Sequence, residues 1–201
     1  MYQRKDAFYQ RAKGAGYRSR AAFKLLELAQ RGKLLRAGDH VVDLGAWPGG
    51  WLQVAAQLVG PSGKVVGVDL QPIEPLPQAN VVTLVGDIGA ASTQDSVSRA
   101  CEGRVDVVLS DLAPKLSGIR ARDEARAQAL AETAAVFAER LLRPGGILVV
   151  KMFMSPDLPQ YVATLRGRFA EVRTSRVEAT RKGSAEVYVV AKGFKRSSQD
   201  S

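Results

Sequence analysis

Apolar runs alternate with amphipathic stretches along most of this chain, and the alternation predicts an α/β fold. Strands are predicted at residues 40–44, 64–69, 80–85, 105–110, 146–152, 168–173 and 185–192. Helices are predicted at residues 19–31, 50–59, 92–101, 122–142 and 157–167. Strands and helices that alternate in this way form a doubly wound sheet, with a binding site at the carboxyl ends of the strands. We therefore expect a Rossmann-like domain with a seven-stranded, mostly parallel sheet and helices on both faces.

Two regions depart from this alternation. Residues 1–18 are interrupted by Gly14 and Gly16, which predicts an arm with little regular structure. Ser19 is expected to cap the helix that follows. Near the other end, only a loop around residues 181–183 separates the last two strands. Those strands should therefore pair antiparallel at one edge of the sheet.

Composition narrows the class of protein. A chain of 201 residues that is 46% hydrophobic can build one domain with a substantial core. Its one cysteine, Cys101, excludes an internal disulfide, and with His40 as the one histidine it argues against a zinc site or a histidine-dependent triad. His40 begins the first predicted strand, so we expect it to be structural. With no signal peptide and no apolar run long enough to cross a membrane, we expect a soluble, cytoplasmic, metal-free monomer.

The positive charge is concentrated at one end of the chain. The net charge is +9, and residues 1–36 hold ten Lys or Arg against two acidic residues, whereas the rest is close to neutral. Aromatic residues lie among these charges: Tyr2, Phe8, Tyr9, Tyr17 and Phe23. Clustered charge with aromatics is typical of nucleic-acid binding, the alternative being a solvated basic tail. We interpret residues 1–36 as an RNA-binding arm and helix of the same domain as residues 37–195, and residues 196–201 as a frayed tail.

A glycine-rich turn follows the first predicted strand, within residues 41–51. Its glycines are Gly45, Gly49 and Gly50. Glycines allow backbone to approach a ligand closely, and Asp69 at the end of the next strand is placed to bind ribose hydroxyls. The spacing differs from that of pyrophosphate binders, and Pro48 removes an N–H that a phosphate would use. The turn therefore favours S-adenosylmethionine, which contains ribose and adenine but no phosphate.

Polar residues stand at the ends of five successive predicted strands: Asp43, Asp69, Asp87, Asp111 and Lys151. Any one of them could be an ordinary strand-end or turn residue. Together, at the same edge of a parallel sheet, they predict a polar cleft. Asp87 suits the amino group of adenine, as Asp69 suits the ribose.

Lys151 is the most informative of these residues. It lies in the apolar run 147–153, where an ammonium must be paired or face a cleft. Burial would lower the pKa of a lysine and permit a role as base, nearby carboxylates would keep it charged, and a lysine snorkelling at the sheet edge is the alternative to both.

The nature of the methyl acceptor follows from what the cleft lacks. Residues 110–114, Ser-Asp-Leu-Ala-Pro, do not match the Asn/Asp-Pro-Pro-aromatic signature of amine methylation. Carbon methylation of pyrimidines needs a cysteine nucleophile, and Cys101 is predicted to lie in a helix away from the sheet edge. These observations leave an oxygen atom as the acceptor.

Over residues 15–195 the sequence resembles the FtsJ/RrmJ family of ribose 2′-O-methyltransferases. The resemblance rests on residues 17–25, 43–51, 110–114, 150–153 and 184–188. It implies a catalytic tetrad of Lys24, Asp111, Lys151 and Glu186, within a methyltransferase domain at residues 37–195. It also implies cofactor contacts at Gly49, Trp51, Asp69, Asp87 and Asp111, to which the glycine turn adds Asp43 and Gly45.

The same resemblance implies a substrate. The compact bacterial members of the family act on large-subunit (23S) ribosomal RNA, so we expect a uridine of the peptidyl-transferase A loop in the assembled 50S subunit. The alternatives are methylation of tRNA or of an mRNA cap, a non-catalytic role in ribosome assembly, and a small-molecule O-methyltransferase.

Two residues depart from the pattern of the family. Trp47 stands where a small residue is usual and is expected to crowd or cover the methionine end of the cofactor. Lys115 stands where asparagine is expected, which would replace a hydrogen bond to substrate with a charge.

Overall fold

The central element of the computed structural model, which describes residues 7–115, 117–180 and 183–196, is a twisted sheet. Within those ranges its seven strands are β1 (His40–Leu44), β2 (Lys64–Asp69), β3 (Val81–Val85), β4 (Val105–Ser110), β5 (Leu142–Phe153), β6 (Phe169–Ser175) and β7 (Glu186–Phe194). Their order across the sheet is β3-β2-β1-β4-β5-β7-β6. The first five strands run parallel, and β7 is antiparallel to both β5 and β6. The predicted α/β class, strand count and antiparallel edge are confirmed.

Helices cover both faces of this sheet. They are α1 (Ala7–Gly14), α2 (Ala21–Gly32), α3 (Gly50–Val59), α4 (Ala91–Ala100), α5 (Arg120–Leu141) and α6 (Leu158–Arg168). Successive strand residues point to opposite faces, so Val42 packs in the cluster under α4, α5 and α6 while Val41 packs in the cluster under α2 and α3. None of the described helices is long and apolar enough to span a membrane.

The N-terminal segment is more ordered than the sequence predicts. Residues 7–14 form α1, where little regular structure was expected. The rings of Phe8 and Phe23 lie 6.0 Å apart, the Arg11 guanidinium lies 4.8 Å from the Phe23 ring, and Ala12 is buried. These contacts with α2 stabilise a helix too short to be stable alone. The remaining predictions for residues 1–6, for residues 181–182 of the loop before β7 and for residues 197–201 of the tail lie outside the described ranges.

The start of α2 also differs from the prediction. The helix begins at Ala21, after Arg20, which makes no side-chain capping hydrogen bond, so Ser19 is not its cap. Instead, the Ser19 hydroxyl lies against Gly50, where a Cβ atom would collide with it. Serine at this position thus serves the packing of the N-terminal segment against α3.

The end of α5 matches the predicted helix stop, but the following turn is part of the sheet. The helix ends at Leu141, and β5 already begins at Leu142, which pairs with Val105. The next pairing joins Val107 to Ile147, so the intervening residues bulge out of the register. The strand therefore starts four residues earlier than the sequence indicated.

The amino-terminal edge of the sheet contains a buried charge cluster. Asp106 is 2% exposed and accepts hydrogen bonds from the His40 backbone N–H at 2.8 Å and from the side chains of Arg104 and Arg143. The Nδ1 atom of His40 lies 3.0 Å from the Cys101 carbonyl oxygen, and burial raises the pKa of the Cys101 thiol to about 12. Both residues thus lie at the edge opposite the predicted cleft.

Candidate active site

Lys151 is the centre of a buried charge cluster at the carboxyl edge of the sheet. Its side chain is 6% exposed, and Nζ donates to the Asp111 main-chain oxygen at 2.6 Å. Nζ also lies 3.1 Å from Asp111 Oδ1 and 3.9 Å from Glu186 Oε1. The two Asp111 oxygens are within hydrogen-bond distance of Nζ, and the Glu186 carboxylate lies beyond that distance as a second negative charge.

Lys24 completes the cluster from the other side of the site. It lies on α2, whose residues Ala22, Leu25 and Leu28 are buried against the sheet layer. The Lys24 Nζ atom is 3.0 Å from each carboxylate oxygen of Glu186. The four residues implied by the resemblance therefore meet, in the order Lys24, Glu186, Lys151, Asp111, with alternating charges.

Tyr188 is a member of this cluster that the sequence reasoning missed. Its hydroxyl donates to Asp111 Oδ1 at 2.8 Å, and its ring packs 5.9 Å from that of Trp51. Burial first, and then the charges of Asp111 and Glu186, raise the pKa of Tyr188 well above its ordinary value, so the phenol stays a donor. Strand periodicity could have revealed it, because residues 186 and 188 lie on the same face of β7.

An open cavity of about 450 Å³ lies beside the cluster, at the ends of β2 and β4. Its walls include Gly45, Trp47, Asp69, Asp87, Asp111 and Leu112. Asp69 accepts hydrogen bonds from the backbone N–H groups of Trp47 at 3.0 Å and Gln71 at 2.9 Å, and Asp87 Oδ1 accepts one from Gly89 at 2.8 Å. Both predicted cofactor carboxylates thus line the cleft and also stabilise their own turns.

The glycines of the turn serve the packing of the protein. A Cβ atom at Gly45 would lie 2.5 Å from the Leu112 side chain, and one at Gly49 would lie 3.2 Å from Arg18 Nη1. Both glycines have positive φ, at 77° and 107°. Neighbouring side chains therefore lie where a Cβ atom would stand, while Gly45 itself lines the open cavity. The contact of these glycines with a cofactor stays a prediction.

Asp43 is the least satisfied group of the site. It is 1% exposed, and its Oδ2 has no hydrogen-bond partner among the described residues. Burial is the main reason that the pKa of Asp43 lies well above its ordinary value, and the charges of Asp111 and Asp69 raise it further. It lines a small cavity together with Gly45, Trp51 and Asp111. A cationic group entering that cavity would give the carboxylate a partner.

The Asp43→Asn variant should be more stable than the wild type at neutral pH in the absence of ligand. A raised carboxyl pKa means that the Asp43 contribution to stability is full below the ordinary pKa and falls as pH rises towards the folded-state value. Asparagine has no charge to bury and does not lose this stability, so the stability difference between the variant and the wild type should grow as pH rises. Urea unfolding of both proteins between pH 4 and 8 tests this, and a variant less stable than wild type at pH 7 would contradict it.

A second open cavity, of about 430 Å³, reaches the charge cluster at Lys24 and Glu186. It is lined by Arg20, Lys24, Pro114, Phe153 and Glu186, and Ala113 lines both cavities. The charge cluster thus lies between two clefts, an arrangement that can bring two ligands to one point. Lys115, the second departure from the family pattern, is exposed on the following loop, where its carbonyl accepts from Arg126 Nη1 at 3.5 Å.

Much of the N-terminal positive charge bonds to the protein itself. Arg18 donates to the carbonyl oxygens of Glu74 and Pro75, both at 2.6 Å, and Arg31 forms an ion pair with Glu27 at 2.8 Å. Exposed cations remain on the same segment, at Lys13, Lys33 and Arg36. The net charge counted from the sequence therefore overstates the charge available to an external polyanion.

Comparison with known proteins agrees with the site geometry. Residues 17–194 match the family of FtsJ-like methyltransferases. The chain is 47% identical to a protein of Methanoculleus marisnigri over 98% of this chain and 95% of that one, and 48% identical to one of Alkalilimnicola ehrlichii over 94% and 90%. Both relatives are named ribosomal RNA large subunit methyltransferase E.

A solved structure shares the fold. It is a crystal structure from Plasmodium falciparum, described as a ribosomal RNA methyltransferase, which superposes with a TM-score of 0.79 at 28% identity. The match covers 89% of this chain and 98% of that one. The resemblance drawn from the sequence motifs is confirmed, and the chain belongs to the family of FtsJ-like methyltransferases.

Proposed function

We propose that this protein transfers a methyl group from S-adenosylmethionine to a ribose 2′-hydroxyl of large-subunit ribosomal RNA. The observation that supports this best is the buried series Lys24–Glu186–Lys151–Asp111 between two open clefts. The names of the relatives point to the large ribosomal subunit. The family resemblance supports the finer proposal of a uridine in the A loop of the assembled 50S subunit.

The cofactor cleft has the chemistry that S-adenosylmethionine requires. Asp43, whose Oδ2 has no hydrogen-bond partner among the described residues, suits the ammonium of its methionine part. Asp69 suits the ribose hydroxyls, and Asp87 suits the adenine amino group. Carboxylates and a proline in the turn disfavour a phosphate, which this cofactor lacks. When bound, it supplies a methyl group on a sulfonium, which is electrophilic without further activation.

Lys151 acts on the acceptor hydroxyl in this proposal. A ribose hydroxyl is a weak nucleophile at neutral pH, so the protein has to align it and stabilise the charge that develops on its oxygen. The Lys151 ammonium, fixed by Asp111 and Glu186, would orient a lone pair of the hydroxyl towards the methyl group and stabilise the charge that develops on the oxygen. The oxygen–methyl bond would form as the methyl–sulfur bond breaks, and the hydroxyl proton would leave to solvent. Lys24 holds Glu186 in turn, and the Tyr188 hydroxyl holds the Asp111 carboxylate.

Methyl transfer to defined RNAs tests the proposal. Labelled S-adenosylmethionine is incubated with the protein and undermethylated large subunits, naked ribosomal RNA or tRNA, and the modified nucleotide is mapped. We expect label on one ribose 2′-oxygen of large-subunit RNA. Label on tRNA alone would overturn the assignment of ribosomal RNA as the substrate. Cofactor binding without transfer to any RNA would favour a role as an assembly factor.

RNA binding should weaken steeply with salt, because each contact with a phosphate releases counterions. Since Arg18 and Arg31 are engaged internally, we expect only three or four contacts and about a hundredfold loss of affinity between roughly 50 and 200 mM salt. In a plot of the logarithm of the RNA affinity against the logarithm of the salt concentration, Lys13→Ala should reduce the slope by about one. Lys64→Ala, which removes a lysine paired with Glu102 at the opposite edge, is the matched control. A flat salt response would contradict a role for the arm in binding.

A further inference from the structure

Trp47 is an exposed aromatic side chain on the rim of the cofactor cleft. It is 54% exposed, although tryptophan ordinarily buries most of its large apolar surface. Leu70, which is 72% exposed, lines the same cavity. Two large apolar side chains left uncovered around one cleft with polar walls indicate surface that a ligand covers.

Trp47 also lies where the two parts of the cofactor site join. Gly45, Trp47 and Asp111 line both the open cavity of about 450 Å³ and the small cavity that contains Asp43. Gly45 has no side chain, and the Asp111 carboxylate is bonded to Lys151 and Tyr188. Of the three, Trp47 therefore offers the large exposed side chain at the place where the two cavities meet.

The backbone of Trp47 is fixed while its side chain stays exposed. Its N–H donates to Asp69 Oδ2 at 3.0 Å, the same carboxylate that is proposed to bind the ribose. The backbone that carries the indole is thus held next to the ribose position, and Trp47 also lines the small cavity that contains Asp43. Those are the positions of the adenosine part and the methionine part of the proposed cofactor.

We propose that Trp47 is a cofactor-binding residue that covers the junction of the two cavities and packs its indole on S-adenosylmethionine where its two parts meet. This inference rests on the proposed function. The sulfonium at that junction is a cation, and the face of an indole attracts a cation besides excluding water. Trp47 therefore favours the cationic cofactor over the neutral thioether product, S-adenosylhomocysteine, which aids product release.

Fluorescence quenching of the wild type tests directly whether bound cofactor shields the Trp47 indole from solvent. The chain has two tryptophans, and the other, Trp51, is 3% exposed with its indole N–H donating to the Ala21 carbonyl at 2.7 Å. Acrylamide should therefore quench mainly Trp47 in the free protein. Saturating S-adenosylmethionine should reduce the quenching to the level of Trp47→Phe. Unchanged quenching, with binding shown by calorimetry, overturns the inference.

Calorimetry on variants tests the preference for the cation. Trp47→Ala should weaken S-adenosylmethionine binding about tenfold and S-adenosylhomocysteine binding only about threefold. Val136→Ala is the matched control, since it removes an exposed apolar side chain of α5, 62% exposed. Equal losses of affinity for both ligands would overturn this inference but leave the proposed function standing. A Trp47→Ala affinity equal to that of the control would do the same. A wild type that binds neither ligand would overturn the proposed function as well.

Discussion

Replacing Lys151 with methionine is expected to lower the rate of methyl transfer by about 10²–10³-fold. Methionine keeps the apolar stem of the side chain and removes the ammonium that lies between the Asp111 and Glu186 carboxylates. Because the cofactor cleft is lined by other residues, the affinity for S-adenosylmethionine should change by no more than about threefold. Single-turnover transfer to large subunits and calorimetry with the cofactor measure the two quantities separately.

Structural damage would have a different signature from loss of a catalytic group. In Lys151→Met, Asp111 keeps the hydrogen bond from Tyr188, and Glu186 keeps its pair with Lys24, so both carboxylates retain partners. The variant should therefore fold and bind cofactor. Lys64→Met removes an ammonium at the opposite edge of the sheet and should transfer methyl groups at the wild-type rate. Transfer by Lys151→Met within about tenfold of wild type would exclude Lys151 from the chemistry.

Replacing Asp106 with alanine is expected to lower the free energy of unfolding by about 3 kcal/mol. The carboxylate is 2% exposed, and its removal leaves the His40 N–H and two guanidinium groups without their acceptor. The expected effect is at the low end for a buried ion pair because Arg104 and Arg143 are 53% and 44% exposed, where water screens them. Urea unfolding at pH 7 measures the loss.

The stability lost in Asp106→Ala should depend on pH in a defined direction. Burial alone would raise the pKa of Asp106, but the hydrogen bonds from His40, Arg104 and Arg143 outweigh it and leave the pKa below its ordinary value. The contribution of the carboxylate is therefore full above the ordinary value and is lost as pH falls through the folded-state value. The difference between variant and wild type should shrink below about pH 4.

An exposed ion pair provides the control for Asp106. Asp95 is 55% exposed and pairs with Arg140, which is 51% exposed, at 3.2 Å. Asp95→Ala should cost less than about 1 kcal/mol. If Asp106→Ala is no more destabilising than Asp95→Ala, the buried cluster does not stabilise the fold.

The sheet was predictable because its inner strands are buried on both faces. Val41 and Val42 are fully buried on opposite faces of β1, and Val65 and Val66 repeat this in β2, so both strands appear as continuous apolar runs. The polar residues that interrupt such runs had to lie at strand ends, which located the cleft. Helix α1 was not predictable because its stability comes from aromatic contacts with α2 rather than from its own pattern.

The site was only partly predictable, since its contacts join distant parts of the chain. Lys24 and Glu186 are 162 positions apart, and no local pattern indicates that they pair. Family resemblance supplied both residues, whereas Lys151 could be found from its apolar neighbours alone. The missing partner of Asp43 could not be foreseen, because it depends on how tightly the surrounding turn closes.

The position of β7 has a consequence for how the protein is made. This strand is synthesised after β5 and β6 yet lies between them, and it supplies Glu186 and Tyr188. Chains fold progressively from the N-terminus during translation. Until β7 emerges, β5 has an open edge, and Lys151 lacks one of its two carboxylate neighbours. A nascent chain therefore gains the proposed active site only once its last strand has been translated.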